Sequence, residues 1–66
     1  MYKEEELKAE LARQNMTKQE LAEKVHMGRS TFMRKSRLGS FYIDEVEAIS
    51  GVLRLSDQRM HEIFFG

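Results

Sequence analysis

The sequence predicts an all-α domain of five short helices, and three observations lead to this prediction. The 66 residues include no proline and four glycines, and residues of high helix propensity such as Leu, Ala, Glu and Lys are frequent. Apolar residues recur every three or four positions, which is the spacing of one helix face. Short polar or glycine-containing breaks separate these segments. We expect residues 1–66 to form a single domain, because a chain of this length has room for only one core.

The first two helices are predicted over Glu4–Gln14 and from Thr17 to near His26. On the first helix, three residues at helical spacing form the apolar face: Leu7, Leu11 and Ala12. The second helix begins with Thr17 and Glu20, the spacing of a capping box in which each side chain accepts a hydrogen bond from the backbone of the other residue. The apolar face of this helix consists of Leu21, Ala22 and Val25.

A third helix is predicted over residues 29–38, after a short break at Met27 and Gly28. Phe32 and Met33 are its clearest apolar positions. We expect Phe32 to hold this helix against the second helix, and Met33 to pack or to cover the turn rather than to bind a cofactor. The remaining circumference of this helix is polar or basic. Such a helix offers little apolar surface to a core, but its charged surface suits binding.

A fourth helix is predicted to start near Ile43, and a fifth is predicted over Asp57–Phe64 with Ser56 as its N-cap. The fourth helix has four apolar residues at helical spacing: Val46, Ile49, Val52 and Leu53. Gly51 weakens this helix by about 1 kcal/mol relative to alanine, or else permits a close contact with another helix. Phe64 and Phe65 either complete the core or form an apolar patch that pairs two copies of the chain.

Charged residues are unevenly distributed, although the formal net charge is zero. Five cations and no acidic residue occur between residues 24 and 43: Lys24, Arg29, Arg34, Lys35 and Arg37. The rest of the chain has a net charge of −5, since its eleven acidic residues outnumber its six basic ones. This segregation predicts one surface that binds a polyanion such as nucleic acid.

Residues 17–38 have the spacing of a helix-turn-helix unit, whose second helix enters the DNA major groove. In the same register, the sequence resembles the phage repressor and Cro-like (XRE-type) helix-turn-helix family through Thr17, Leu21, Ala22, Val25, Arg29, Ser30, Thr31, Phe32, Phe41, Glu45, Val46 and Ile49. Residues 55–65 are similar to the ends of small Cro-like proteins from phages of low-GC Gram-positive bacteria. The sequence departs from the family where His26 replaces a glycine, Gly28 a serine or threonine, and Lys18 a glutamine.

The resemblance implies a compact five-helix fold of the lambda-repressor type and a sequence-specific transcriptional regulator of the Cro/repressor type. Such a protein would occupy an operator in double-stranded DNA as a homodimer, with helix 29–38 in the major groove. The residues that the resemblance assigns to base reading are Arg29, Ser30 and Arg34. Those that it assigns to phosphate contacts are Thr17, Lys18, Thr31, Lys35 and Arg37.

A second interpretation keeps the fold and replaces DNA with a protein. The chain would then be an antirepressor that docks on a partner repressor, an alternative that the net charge of zero favours. We expect no enzymatic activity, cofactor or metal site, because the chain has no cysteine and its two histidines are isolated. The longest apolar stretch is far below the roughly 20 residues that span a bilayer. The sequence therefore predicts no membrane association and a location in the cytoplasm of a bacterial host.

Overall fold

The computed structural model describes residues 1–66 and contains five α-helices and no strand. These helices are α1 Glu4–Arg13, α2 Lys18–Lys24, α3 Arg29–Leu38, α4 Ile43–Leu53 and α5 Asp57–Phe64. The all-α prediction is confirmed, and the helices lie where the sequence places them. The C-terminal ends of the first two helices differ by one or two residues, because helix ends leave carbonyl groups unpaired and fray. The second helix begins at Lys18, one residue after the predicted start, because Thr17 is its N-cap residue.

Side-chain caps fix the starts of three helices. At α2, Thr17 Oγ1 accepts a hydrogen bond from Glu20 N at 3.1 Å, and the Glu20 carboxylate accepts one from Thr17 N at 2.9 Å, which confirms the predicted capping box. Ser56 Oγ accepts a hydrogen bond from Arg59 N at 3.0 Å at the start of α5. At α4, the Glu45 carboxylate accepts one from Tyr42 N at 2.8 Å. Each cap pairs a backbone N–H that the helix itself leaves free.

The core consists of ten buried apolar residues drawn from all five helices: Leu7, Leu11, Leu21, Ala22, Phe32, Val46, Ile49, Leu53, Ile63 and Phe64. Phe64 is 8% exposed and belongs to the core, whereas Phe65 is 44% exposed and lies outside it. The expectation that Ala12 lies on the apolar face of α1 is wrong, because Ala12 is exposed and Glu10 is buried instead. Gly51 is exposed, and its missing side chain permits no close helix contact.

An ionic network explains why Glu10 can be buried. Arg59 of α5 donates hydrogen bonds to Glu10 at 2.7 Å and to Glu6 at 2.9 Å, and so joins α5 to α1. Arg13 adds a second bond to Glu10 at 2.8 Å. A buried carboxylate is tolerated only when its charge is paired, and the hydrogen bond from Arg59 lowers the pKa of Glu10.

None of the helices has the length and apolar character required to cross a membrane.

The turns before and after α3 have left-handed backbone conformations. His26, between α2 and α3, has φ +59°, and Gly39, directly after α3, has φ +77°. A β-carbon on Gly39 would lie 2.6–2.7 Å from ring and β-carbon atoms of Tyr2. Tyr2 in turn donates a hydrogen bond from its hydroxyl to Ser36 O at 2.5 Å. The N-terminal segment therefore packs on the C-terminal half of α3.

Candidate nucleic-acid interface

The helices α2 and α3 pack against each other around a short turn at residues 25–28. Leu21 and Ala22 of α2 and Phe32 of α3 are buried together in the core. Within the turn, Met27 N donates to Ala22 O at 2.9 Å, and Gly28 serves as the N-cap residue of α3. Glycine is acceptable at this position, which explains why α3 starts at Arg29 without a side-chain cap. This packing leaves one side of α3 open.

The open side of α3 is basic. Three residues, Phe32, Lys35 and Ser36, point inward and are buried. The open side, which we call the arginine face, consists of Arg29, Ser30, Met33, Arg34 and Arg37, which line one shallow depression. At 3.6 residues per turn and 1.5 Å rise, these positions cover an arc of about 140° and a length of about 12 Å. The three predicted base-reading residues, Arg29, Ser30 and Arg34, are thus all exposed and share this face.

The arginines of this face have no carboxylate partner. Every ion pair within 4.0 Å involves Lys8, Arg13, Lys18, Lys35 or Arg59. Arg37 lies close enough to Glu4 for its charge to contribute to the lowered pKa of that carboxyl, after the hydrogen bond from Lys18, but forms no ion pair with it. Three guanidinium groups without an ion-pair partner on one short helix create a local positive potential despite the zero net charge.

Lys35 does not share the arginine face. It is 8% exposed and donates to both carboxylate oxygens of Glu45 at 2.8 Å. Its Nζ also lies 4.0 Å from the centre of the Tyr42 ring. The charge of Lys35 is therefore paired with α4, and its predicted phosphate contact, which stays a prediction, would require this ion pair to open. Burial raises the pKa of Glu45, but hydrogen bonds, from Lys35 foremost, lower it to below its ordinary value.

The side chain of Lys18 likewise forms its hydrogen bonds within the protein. Its Nζ donates to Glu4 at 2.9 Å and to Ser36 Oγ at 3.2 Å, and its side chain is 20% exposed. Lys18 therefore connects α2 to α1 and α3, and its phosphate contact stays a prediction. The hydrogen bond from Lys18 lowers the pKa of Glu4.

The remaining predicted phosphate contacts occupy three different places. Thr17 is exposed at the start of α2, where its hydroxyl is engaged as the helix cap. Thr31 is half-buried on α3, outside the depression that the arginine face lines. Arg37 is exposed and belongs to the arginine face, together with the predicted base-reading residues. Of the five, Arg37 and Thr17 are thus the two that are exposed.

The sequence analysis does not predict two features of the site. Met33, which is expected to pack or to cover the turn, is half-buried on the arginine face and does not pack against the core cluster. Tyr2 supports α3 through Ser36, a contact between residues 34 positions apart. The helical period alone carries a signal for Met33, because it lies four residues from both Arg29 and Arg37. No local pattern signals Tyr2.

Comparisons of the chain with models of protein families, with curated proteins and with solved structures return no significant match. The resemblance to the Cro-like family therefore stays a prediction, which depends on the residues in register. The observations that bear on function are the geometry of α2 and α3 and the charges on the arginine face.

Proposed function

We propose that this protein binds double-stranded DNA sequence-specifically, with the arginine face of α3 in the major groove, and regulates transcription by occupying an operator. One observation carries this proposal. Helix α3, the second helix of a helix-turn-helix arrangement with α2, has three exposed arginines without carboxylate partners. A major groove about 12 Å wide admits one α-helix. The arginine face has the length and width to meet several base pairs.

The residue types on this face favour base reading over simple attraction to phosphate. Arginine forms bidentate hydrogen bonds with guanine O6 and N7, and each such pair discriminates against a wrong base by about 1–3 kcal/mol. Arg29 and Arg34 are five residues apart on the exposed arc, so two guanines in one half-site are the expected targets. Arg37, near the C-terminal end of α3, is the candidate phosphate contact.

The proposal includes a homodimer on DNA. A single copy offers one short reading helix, and two copies would meet half-sites about 34–36 Å apart, one turn of the duplex. Support for pairing comes from three large apolar side chains that are exposed where α3 ends and α4 begins: Leu38, Tyr42 and Ile43. Exposed large apolar side chains that lie near one another in sequence are candidates for contacts between proteins.

Selection of duplexes from a random pool, followed by fluorescence anisotropy, tests the proposal. We expect an enriched operator, saturation at two chains per duplex, and an affinity that falls linearly on a plot of log Kd against log salt concentration. Arg34→Gln should weaken binding about 5- to 150-fold and relax selectivity at one base pair. The charge-matched control Arg54→Gln, at an exposed arginine outside α2 and α3, should retain affinity and selectivity.

Two results would contradict the proposal. One is the absence of any enriched duplex, which would turn attention to the alternative of an antirepressor that docks on a protein. The other is an equal loss in the Arg34→Gln and Arg54→Gln variants, because that result would mean that only total charge matters. An interaction with a protein through the apolar cluster would respond little to salt, whereas DNA binding responds steeply.

A further inference from the structure

Met33 is an apolar residue on a surface that is otherwise basic and polar. It lies one helical turn from both Arg29 and Arg37 and contributes the apolar part of the depression on the arginine face. Three other methionines, Met16, Met27 and Met60, are also half-buried, but they pack against the core, whereas Met33 does not. Its partial burial is therefore independent of the core that stabilises the fold.

The chemistry of the major groove offers one apolar group that matches such a side chain. Thymine carries a C5-methyl group on the floor of this groove, and protein side chains read it by apolar contact. The methionine side chain is unbranched and polarisable and adapts its shape to irregular surfaces. By helical position, Met33 lies within the arc between Arg29 and Arg34, so a base pair contacted by Met33 lies among those that the two arginines address.

We propose that Met33 is a specificity-determining residue that recognises the C5-methyl group of a thymine within the half-site. This inference depends on the proposed DNA binding and deepens it, because it assigns the apolar part of the recognition surface to a single base. The half-site then combines guanines opposite Arg29 and Arg34 with a thymine opposite Met33. No bond is made or broken, and the discrimination comes from burial of one methyl group.

Replacement of single thymines by deoxyuridine in the selected operator tests this proposal, since the change removes the methyl group alone. Burial of one such group stabilises by about 0.8 kcal/mol, which corresponds to a roughly fourfold change in Kd. For the wild-type protein, we expect about this loss at one thymine in each half-site. Met33→Ala should bind the original operator at least about fourfold more weakly than the wild-type protein does. This variant should bind the deoxyuridine duplex and the original operator with the same affinity.

Arg34→Ala provides the matched comparison. It should weaken binding to every duplex and still keep the roughly fourfold preference for thymine over deoxyuridine, because its guanine contact is separate from the methyl contact. The proposal is overturned if no thymine in the half-site is sensitive to loss of its methyl group, if the half-site contains no thymine, or if Met33→Ala retains the same sensitivity. These results differ from failure of the proposed function, in which no operator is enriched at all.

Discussion

His26 occupies a backbone conformation that suits glycine. Its φ of +59° lies in the left-handed region, where a β-carbon is unfavourable by roughly 1–2 kcal/mol. We predict that His26→Gly raises the free energy of unfolding by about 1 kcal/mol, which for a domain of this size raises Tm by roughly 4–8 °C. Thermal unfolding followed by circular dichroism measures this change.

Asn15 supplies the control for that prediction. It has nearly the same φ, +56°, but the short polar side chain of asparagine can form a local hydrogen bond in the left-handed region, which lowers the cost of this conformation. Asn15→Gly should therefore raise Tm less than His26→Gly. An unchanged or lowered Tm for His26→Gly would show that the histidine side chain contributes more than its backbone conformation costs.

Lys18 and Arg37 are both basic residues close to Glu4, but only Lys18 is bonded to it. Because Lys18 supports α3 from inside through Ser36, we predict that Lys18→Gln weakens DNA binding without changing the salt dependence. Arg37→Gln should reduce the slope of log Kd against log salt concentration by about 0.9, the value for one lost phosphate contact. Anisotropy titrations at four or more salt concentrations separate the two cases. A reduced slope for Lys18→Gln would instead show that Lys18 contacts a DNA phosphate.

At the scale of elements, two glycines at different places in their helices should respond in opposite ways to the same substitution. Gly39 terminates α3 at φ +77° and lies directly against Tyr2, so Gly39→Ala should lower the free energy of unfolding by at least 1–2 kcal/mol, approximately the cost of a left-handed β-carbon. Gly51 is inside α4 and exposed, with no atom within 4 Å of an added β-carbon. Gly51→Ala should therefore raise it by about 1 kcal/mol.

Urea unfolding of both variants measures these changes. Gly39→Ala should also reduce DNA affinity, since displacement of Tyr2 removes its hydrogen bond to Ser36, whereas Gly51→Ala should leave affinity unchanged. The same sign of stability change for both substitutions would mean that the left-handed conformation of Gly39 does not determine how α3 ends.

The sequence predicts where helices form better than it predicts which side chains of different helices contact each other. Helix positions follow from local signals such as Thr17 with Glu20 and Ser56, so all five helices are predicted nearly to the residue. The role of Lys35 depends on Glu45, which belongs to another helix. Helical periodicity places a basic residue on the circumference of a helix but does not say which side packs inward. The sequence therefore predicts the same role for Lys35 and Arg37, although one is buried and the other exposed.

At the scale of the whole molecule, several carboxylates make stability depend on pH. Hydrogen bonds from Arg59 and Lys18 lower the pKa values of Glu10 and Glu4 below their ordinary value of 4.5. A carboxyl with a lowered pKa in the folded state stabilises the protein above its unfolded pKa, and this contribution disappears as pH falls through the folded value. We predict a stability plateau near neutral pH and a decline as pH falls below about 4.5.

Glu10→Gln tests the origin of this decline. The substitution should lower Tm at pH 7 and have a smaller effect at pH 3, because the charge of the wild-type carboxyl is progressively lost as pH falls toward its lowered pKa. Glu47 is exposed and forms no ion pair, so Glu47→Gln should have a small effect at both pH values. If Glu10→Gln lowers Tm equally at pH 7 and pH 3, packing rather than charge dominates at this position.

The N-terminal segment has a consequence for the order of folding. Lys3 N donates to Ile63 O at 2.7 Å, and Tyr2 bonds to Ser36, so the first three residues meet partners across almost the entire chain. Contacts between such distant positions close large loops and are expected to form late, whereas α2 and α3 are neighbours in sequence. Helix α3 would thus acquire this support only in the last steps of folding. A peptide containing residues 17–38 alone would lack this support, and its short helices would be marginal in water.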